Sequence, residues 1–526
     1  MRLFCTKLKL KDNKMIIRKT LAIIGLLCPI FSFAQEKQQP IDVRGDMYFE
    51  AECYTKALNE YMKAYTKRPD DNRLIRRIAE TILKDEVVRS AAIPYLERYM
   101  KAEANLDAEV YFLAARAYYH AYQFDKAEEY LAKYTQQPDA NQGNAEHLAS
   151  CIQVARVMRK DTLKCAMINM GENINTPFAE INPFIMNHSS TLVYSSDDKY
   201  NSMMNMNYFN IKVSESRGLE WSKGKPVTGM VNTLYDEYVV GLSGDGIIFN
   251  SNRDGEFAIY ESSHYSGNGR MSDGERFDSP IDQVGHEVGG TRSLLGDTII
   301  FSGTCENGKL DLFYSIRLND AWQEPRPLPG KVNTVDYDEN YPNLSANGKR
   351  LYFSSDRPGT MGGFDLYYSD LDEKSGEWGE PVHLKYPLND TYDNLTISFT
   401  PDNRYAYISA IKDGGFGGRD IYCVVFDDIL PHIALIKCSV TVKAKPKPVP
   451  LGTQPLIEVT NENGEVVAAL KMKMSNSTFI LALDPGEYTL KIETGSTKPY
   501  SEKITIAEKY YNSQIPIDKV IVLDPQ

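Results

Sequence analysis

The chain has 526 residues, 42% of them hydrophobic and 25% charged, with a net charge of −12. The first 34 residues hold seven basic side chains and one acid, Asp12, a contribution of +6 that leaves the remainder at −18. That balance excludes the basic footprint of a nucleic-acid or anionic-lipid binder, and the length implies about three domains rather than one core.

Arg18-Lys19 leads into the apolar run Leu21 to Phe33, which ends Ser32-Phe33-Ala34 before Gln35. A basic segment, an apolar run too short to span as a helix and a small residue at the cut predict a secretory signal peptide over 1–34. Met15 would start a leader of more usual length. Cys28 follows Leu26-Leu27, a poor lipobox, so its lipidation stays open. Export predicts the periplasm, with outer-membrane association open. Six cysteines follow the leader, at 53, 151, 165, 305, 423 and 438, with no C-x-x-C spacing for zinc or redox chemistry.

From 36 to 160 small and apolar residues recur at helical spacing with a period of 34. Gly45, Tyr48, Ala57, Tyr61, Ala64 and Pro69 fall at the tetratricopeptide-repeat positions. Ala91 and Tyr95 repeat them, and Ala115, Tyr118, Ala127 and Leu131 form a slipped third copy. Glu146 to Arg159 reads as a capping helix. The segment is either a helical spacer or a groove for a partner's helix or peptide, with Tyr48 and Tyr61 as candidate contacts.

Between 161 and 435 an aromatic residue before small or polar residues recurs as Tyr194, Phe249, Phe301, Phe353 and Tyr407, at intervals of 55, 52, 52 and 54. Glu180, Glu237, Glu287, Glu339 and Asn394 precede these. A further strand opens on Asp311, Asp365 or Asp420, and Trp221, Trp322 and Trp378 each precede a proline. Four strands per unit of about 50 residues predict β-propeller blades, five in all, with strand 163–169 supplying the outer strand of the last blade. The run Ser354-Ser-Asp-Arg-Pro-Gly with Gly362-Gly-Phe-Asp-Leu-Tyr367 resembles TolB-like, WD-type propeller repeats of bacterial periplasmic proteins.

Glu237 and Glu339 are expected near Arg253 and Arg357. A repeated structural ion pair accounts for such residues, since what recurs in every copy specifies the copy. Function is then sought where copies differ: the insertion Asp197 to Asn207, with Met203, Met204 and Met206, and the insertion Glu261 to Arg276. Methionine suits adaptable contacts, though an ill-packed loop is the alternative. Cys165 and Cys423 fall on neighbouring strands, as a closing disulfide or as free thiols.

Residues 443–455 are proline-rich and read as a stiff linker. From 456 to 526 strand alternation returns, with Asn463-Gly464 as a hairpin turn, and resembles the carboxypeptidase-regulatory β-sandwich. The seven histidines form no ligand pair, and no nucleophile elbow, P-loop or dinucleotide fingerprint occurs. The expectation is no enzyme, no cofactor and no metal.

The fold expected is thus multidomain, α plus all-β: an α-solenoid of tetratricopeptide repeats, a five-bladed β-propeller and a C-terminal β-sandwich. In that order the parts resemble the PorE-type periplasmic component of the Bacteroidota type IX secretion and gliding machinery. The resemblance implies a scaffold whose partners are other envelope or secretion proteins. Such proteins often continue into an OmpA-type peptidoglycan-binding domain, which this sequence lacks, so peptidoglycan is a doubtful partner. The alternative is a carbohydrate- or peptide-binding module of outer-membrane uptake.

Overall fold

The structure is a computed structural model. It describes residues 41–526 except 187–189, 202–205, 218–219, 278–279, 282–283, 286, 294–295, 320, 401–402, 427–433, 475–476, 484–485 and 507–516. The leader, with Met15 and Cys28, lies outside the described residues.

The described residues form a helical segment followed by many antiparallel sheets. The seven α-helices are α1 (Val43–Glu50), α2 (Tyr54–Lys67), α3 (Asn72–Lys84), α4 (Ile93–Ala102), α5 (Ala108–His120), α6 (Phe124–Thr135) and α7 (Gln142–Met158). Four of them start where a short polar side chain takes the amide three residues ahead: Asp42, Asp71, Asp107 and Asn141. α3 buries Leu74, Ile75, Ile78, Ala79, Ile82 and Leu83, one continuous apolar face at helical spacing. α1 and α2 approach closely because Gly45 has no side chain. A Cβ there would lie 2.4 Å from the ring of Tyr61.

Five antiparallel sheets span Cys165 to Phe426. In the first four the strands follow chain order. The fifth is built from Ile397–Phe399, Tyr405–Ala410, Asp420–Phe426 and, at its outer edge, Cys165–Asn169. This last pairing sets Cys165 against Phe426 and Ile168 against Cys423, so the start of the region completes its end.

The apolar cores lie between sheets. Val193 and Val213 of the first sheet pack with Phe249 and Tyr260 of the second. Ile248 and Ile259 pack with Phe301 of the third, and Leu312 with Phe353 and Tyr367 of the fourth. Tyr352 and Leu366 pack with Ile408 and Tyr422 of the fifth, and Tyr407 and Ile421 return to Ile185 and Tyr194 of the first. Five sheets therefore share five cores in a closed circuit. Each sheet is covered on both faces, which explains why Gly246–Ser251 is buried at every position instead of alternating.

The C-terminal region has two four-stranded sheets around Val459, Phe479, Leu481 and Leu490. Its boundary corrects the sequence reading. Strand Ala434–Val442 already belongs here, antiparallel to Thr478–Leu483 and parallel to Ile517–Leu523, with Ile436, Cys438 and Val440 buried. Residues 443–455 are thus a connection within this unit rather than a linker before it. Val449–Pro450 pairs with Thr441 and Val442 at the sheet edge, where a proline costs no ladder bond.

Candidate functional site

In each of the five sheets the innermost strand begins, and the loop between the second and third strands lies, on one face of the circuit, here the upper face. Its recurring residues are turned inward. Glu339 accepts from the Thr334 amide at 2.9 Å, from Ser355 at 3.0 Å and from Arg357 at 3.0 Å. Glu237 repeats this with Thr233 at 2.9 Å, Ser251 at 3.0 Å and Arg253 at 3.4 Å. Glu180 has Thr176 and Ser196, both at 2.8 Å. Burial pushes Glu180 and Glu339 up to about 7, against the pull of these donors, and raises Glu237 as well. Glu287 is buried at the same place in the third sheet.

Asp365 and Asp420 close the glycine-rich loops. Asp365 accepts from the Met361 and Gly362 amides at 2.6 and 2.9 Å and meets His383 Nε2 at 2.6 Å. Asp420 accepts from Phe416 and Asn169, both at 2.8 Å. Trp378 is buried against the third sheet, and Trp322 is half-buried with the Arg292 guanidinium 5.2 Å from its ring.

The helices dock on the loops of the fourth and fifth sheets. Met361 is fully buried among Tyr119, Ala155 and Ile152. The Tyr119 hydroxyl donates to the Met361 carbonyl, and the amide of Arg89 to the Tyr392 hydroxyl at 2.9 Å. His120 meets Thr391 at 3.0 Å, and its burial keeps it neutral by pushing its pKa well down. Glu86, just past α3, pairs with Arg419 at 3.2 Å. The C-terminal unit touches the opposite face, where Lys473 lies 3.4 Å from Asp245.

Sequence reasoning missed this junction and placed the helices and the sheets as separate domains. One signal was present: Arg419 stands where the fourth copy has Phe364, a charge replacing an aromatic before the strand-opening aspartate.

On the first three sheets several apolar side chains are exposed: Met230, Leu234 and Val335 at 68%, 61% and 80%, and Tyr235 at 46%. Tyr200 of the first sheet's long hairpin has Lys56 of α2 5.0 Å from its ring. Asn201 donates to the Leu234 carbonyl at 3.3 Å, tying the long hairpin of the first sheet to the second. An open cleft of about 510 Å³ lies on the third sheet, lined by Val284, Gly285, Thr304, Cys305, Glu306, Asn307 and Phe313.

Of the proposed contacts, Met203 and Met204 lie outside the described residues, and Met206 is half-buried opposite Asn201. Tyr48 is half-buried against the helical core. Tyr61 is fully buried with its hydroxyl 2.7 Å from Asp46, which makes it a packing residue instead of a contact. The disulfide reading is also corrected. Cys165 and Cys423 lie three register positions apart and on opposite faces of their strand pair, a geometry that no disulfide between them spans. The insertion Glu261 to Arg276 folds back on the first sheet, where the Asn268 amide donates to Glu215 at 2.8 Å.

No protein-family model matches the chain, and no curated protein does. Among solved structures, TolB from Acinetobacter baumannii is 13% identical, with a TM-score of 0.28 over 57% of this chain and 66% of its own. A putative TolB from Agrobacterium tumefaciens is 11% identical, TM-score 0.31, over 61% and 98%. An endo-arabinase from Bacteroides thetaiotaomicron is 11% identical, TM-score 0.33, over 50% and 98%. A glycoside hydrolase and two α-L-arabinofuranosidases also match. The sequence reading expected no enzyme; that expectation is withdrawn, since the similar chains include glycoside hydrolases.

Proposed function

We propose that this chain is an exported scaffold of the cell envelope that holds other envelope or secretion proteins. In this reading the leader directs it to the periplasm, the helices are a tetratricopeptide-repeat solenoid, and the five sheets are blades of a TolB-like propeller closed by strand 163–169. The C-terminal sheets form a carboxypeptidase-regulatory-like β-sandwich. The order of these parts supports a place in type IX secretion and gliding or in outer-membrane assembly.

One observation carries the reading. The recurring motif residues are consumed inside the structure, while the apolar side chains of Met230, Leu234, Tyr235 and Val335, on the connections leading into the second and fourth sheets, are exposed. Large apolar side chains left exposed near one another mark interaction sites, and the test below replaces two of them.

The test is affinity purification of the tagged full chain from cross-linked envelopes, beside the double variant Met230→Asp, Val335→Asp. Secretion-apparatus or outer-membrane proteins are expected with the wild type and lost with the variant. Recovery of glycan and no envelope protein would overturn the proposal.

A further inference from the structure

The second and fourth sheets each seat a guanidinium in the same way. Arg253 lies 5.2 Å from the Phe249 centroid and 4.9 Å from that of Tyr260, with its Nη2 3.4 Å from Glu237. Arg357 lies 5.3 Å from Phe353 and 5.0 Å from Tyr367, with Nη2 3.0 Å from Glu339 and 2.7 Å from the Val332 carbonyl. The seat is a stacked pair of rings, a buried carboxylate and a backbone carbonyl. In the first and fifth sheets lysines stand near the corresponding loops: Lys212 pairs with Asp198 and Lys412 with Asp390, both at 2.8 Å.

The third sheet keeps most of this seat. Phe301 and Phe313 stack at 6.1 Å, against 5.4 Å for Phe249 with Tyr260 and 5.9 Å for Phe353 with Tyr367. Glu287 is buried where Glu237 and Glu339 are. The position four residues beyond the inner ring, occupied by Arg253 and Arg357 in the other two, holds Cys305. The open cleft of about 510 Å³ lies at Cys305, with Phe313 in its lining and the exposed Glu306 on its rim, while Phe301 and Glu287 do not line it.

We propose that this cleft seats a guanidinium from outside the chain: the arginine side chain of a protein bound to the upper face. The chain's own Arg253 and Arg357, 4.9 and 5.0 Å over Tyr260 and Tyr367 at the place of Phe313, show which group fits over that ring, and Glu306 is the carboxylate within the cleft. A planar guanidinium stacks on an aromatic face and bonds a carboxylate at once, whereas a lysine ammonium is a compact, strongly hydrated charge. Glu306 adds attraction at the mouth. The proposal relies on the scaffold reading only in taking the arginine to be a protein's.

The test uses the full chain without its leader and two small probes, Nα-acetyl-L-arginine amide and Nα-acetyl-L-lysine amide, read by saturation-transfer NMR. Saturation is expected on the arginine side chain, with the lysine probe about fivefold weaker. Cys305→Arg supplies the missing group internally and is expected to abolish binding while the chain still melts cooperatively. If that variant does not fold, Glu306→Lys at the exposed rim replaces it, with weakened arginine binding expected. Equal signals from the two probes, no signal from either, or undiminished binding in a folded variant would overturn the proposal. The probes are small molecules, so the result is independent of whether any envelope protein is captured.

Discussion

Arg419, in the loop of the fifth sheet, reaches the carboxylate of Glu86 at 3.2 Å and the carbonyl of Asp393 at 3.0 Å. It is 5% exposed, so a buried cation on the sheets is matched by an anion from the helices. Arg419→Ala leaves that anion and carbonyl without their donor. Breaking a buried pair costs about 3–5 kcal/mol, and partial exposure of Glu86 brings the expected cost to about 2–3 kcal/mol. Hydrogen exchange is expected to quicken in α3 and α5 and stay unchanged in the C-terminal sheets. Uniform quickening over the whole chain would show that the residue does not act at the junction.

Gly45→Ala tests the helical packing with a sign. Helix propensity alone favours alanine by about 1 kcal/mol. The new Cβ would sit 2.4 Å from the Tyr61 ring, which is held at both ends by burial and by Asp46. Overpacking of this kind costs about 1–3 kcal/mol, so net destabilisation in urea is expected. A raised midpoint would mean that α1 and α2 are not pressed together there.

Glu339 gives a pH dependence. Burial raises its folded pKa from 4.5 to about 7. A raised folded pKa adds stability that is complete below the unfolded value and lost as pH climbs through the folded one. Stability is therefore expected to fall between about pH 4.5 and 7, by an amount on the order of 3 kcal/mol from this group. Glu339→Gln is expected to flatten that part of the profile in denaturation curves. An unchanged slope would assign it elsewhere.

Cys165 and Cys423 are expected to be recovered as separate alkylated peptides when the purified chain is unfolded and labelled without reductant. Burial pushes the Cys423 thiol up to about 11, so labelling of the folded chain at neutral pH is expected to be slow there. A peptide linking the two would contradict the register of their strands.

The helical face of α3, the alanines at 57 and 64 and the four polar caps are local patterns, and each is legible because a helix of this length reports its buried side every three to four residues. The Glu–Thr–Ser–Arg clusters are legible for another reason: repetition places equivalent residues at equivalent points of each copy. The strand Ala434–Val442 was harder. Its alternation is clear, but a parallel partner some 80 residues away cannot be read from neighbours, and the prolines after it imitate a domain linker.

By itself the amino-acid sequence determined the repeat, its inward-facing polar residues and the point where the last copy lacks its outer strand. Only the tertiary structure decided what the glycine-rich loops are for. Met361 and Gly418 mark surfaces on which the helices rest, a contact between segments more than 200 residues apart that leaves no local periodicity. The cleft over Phe313 is of the same kind. Cys305 is an ordinary residue in the sequence and becomes informative only beside the seats that Arg253 and Arg357 fill.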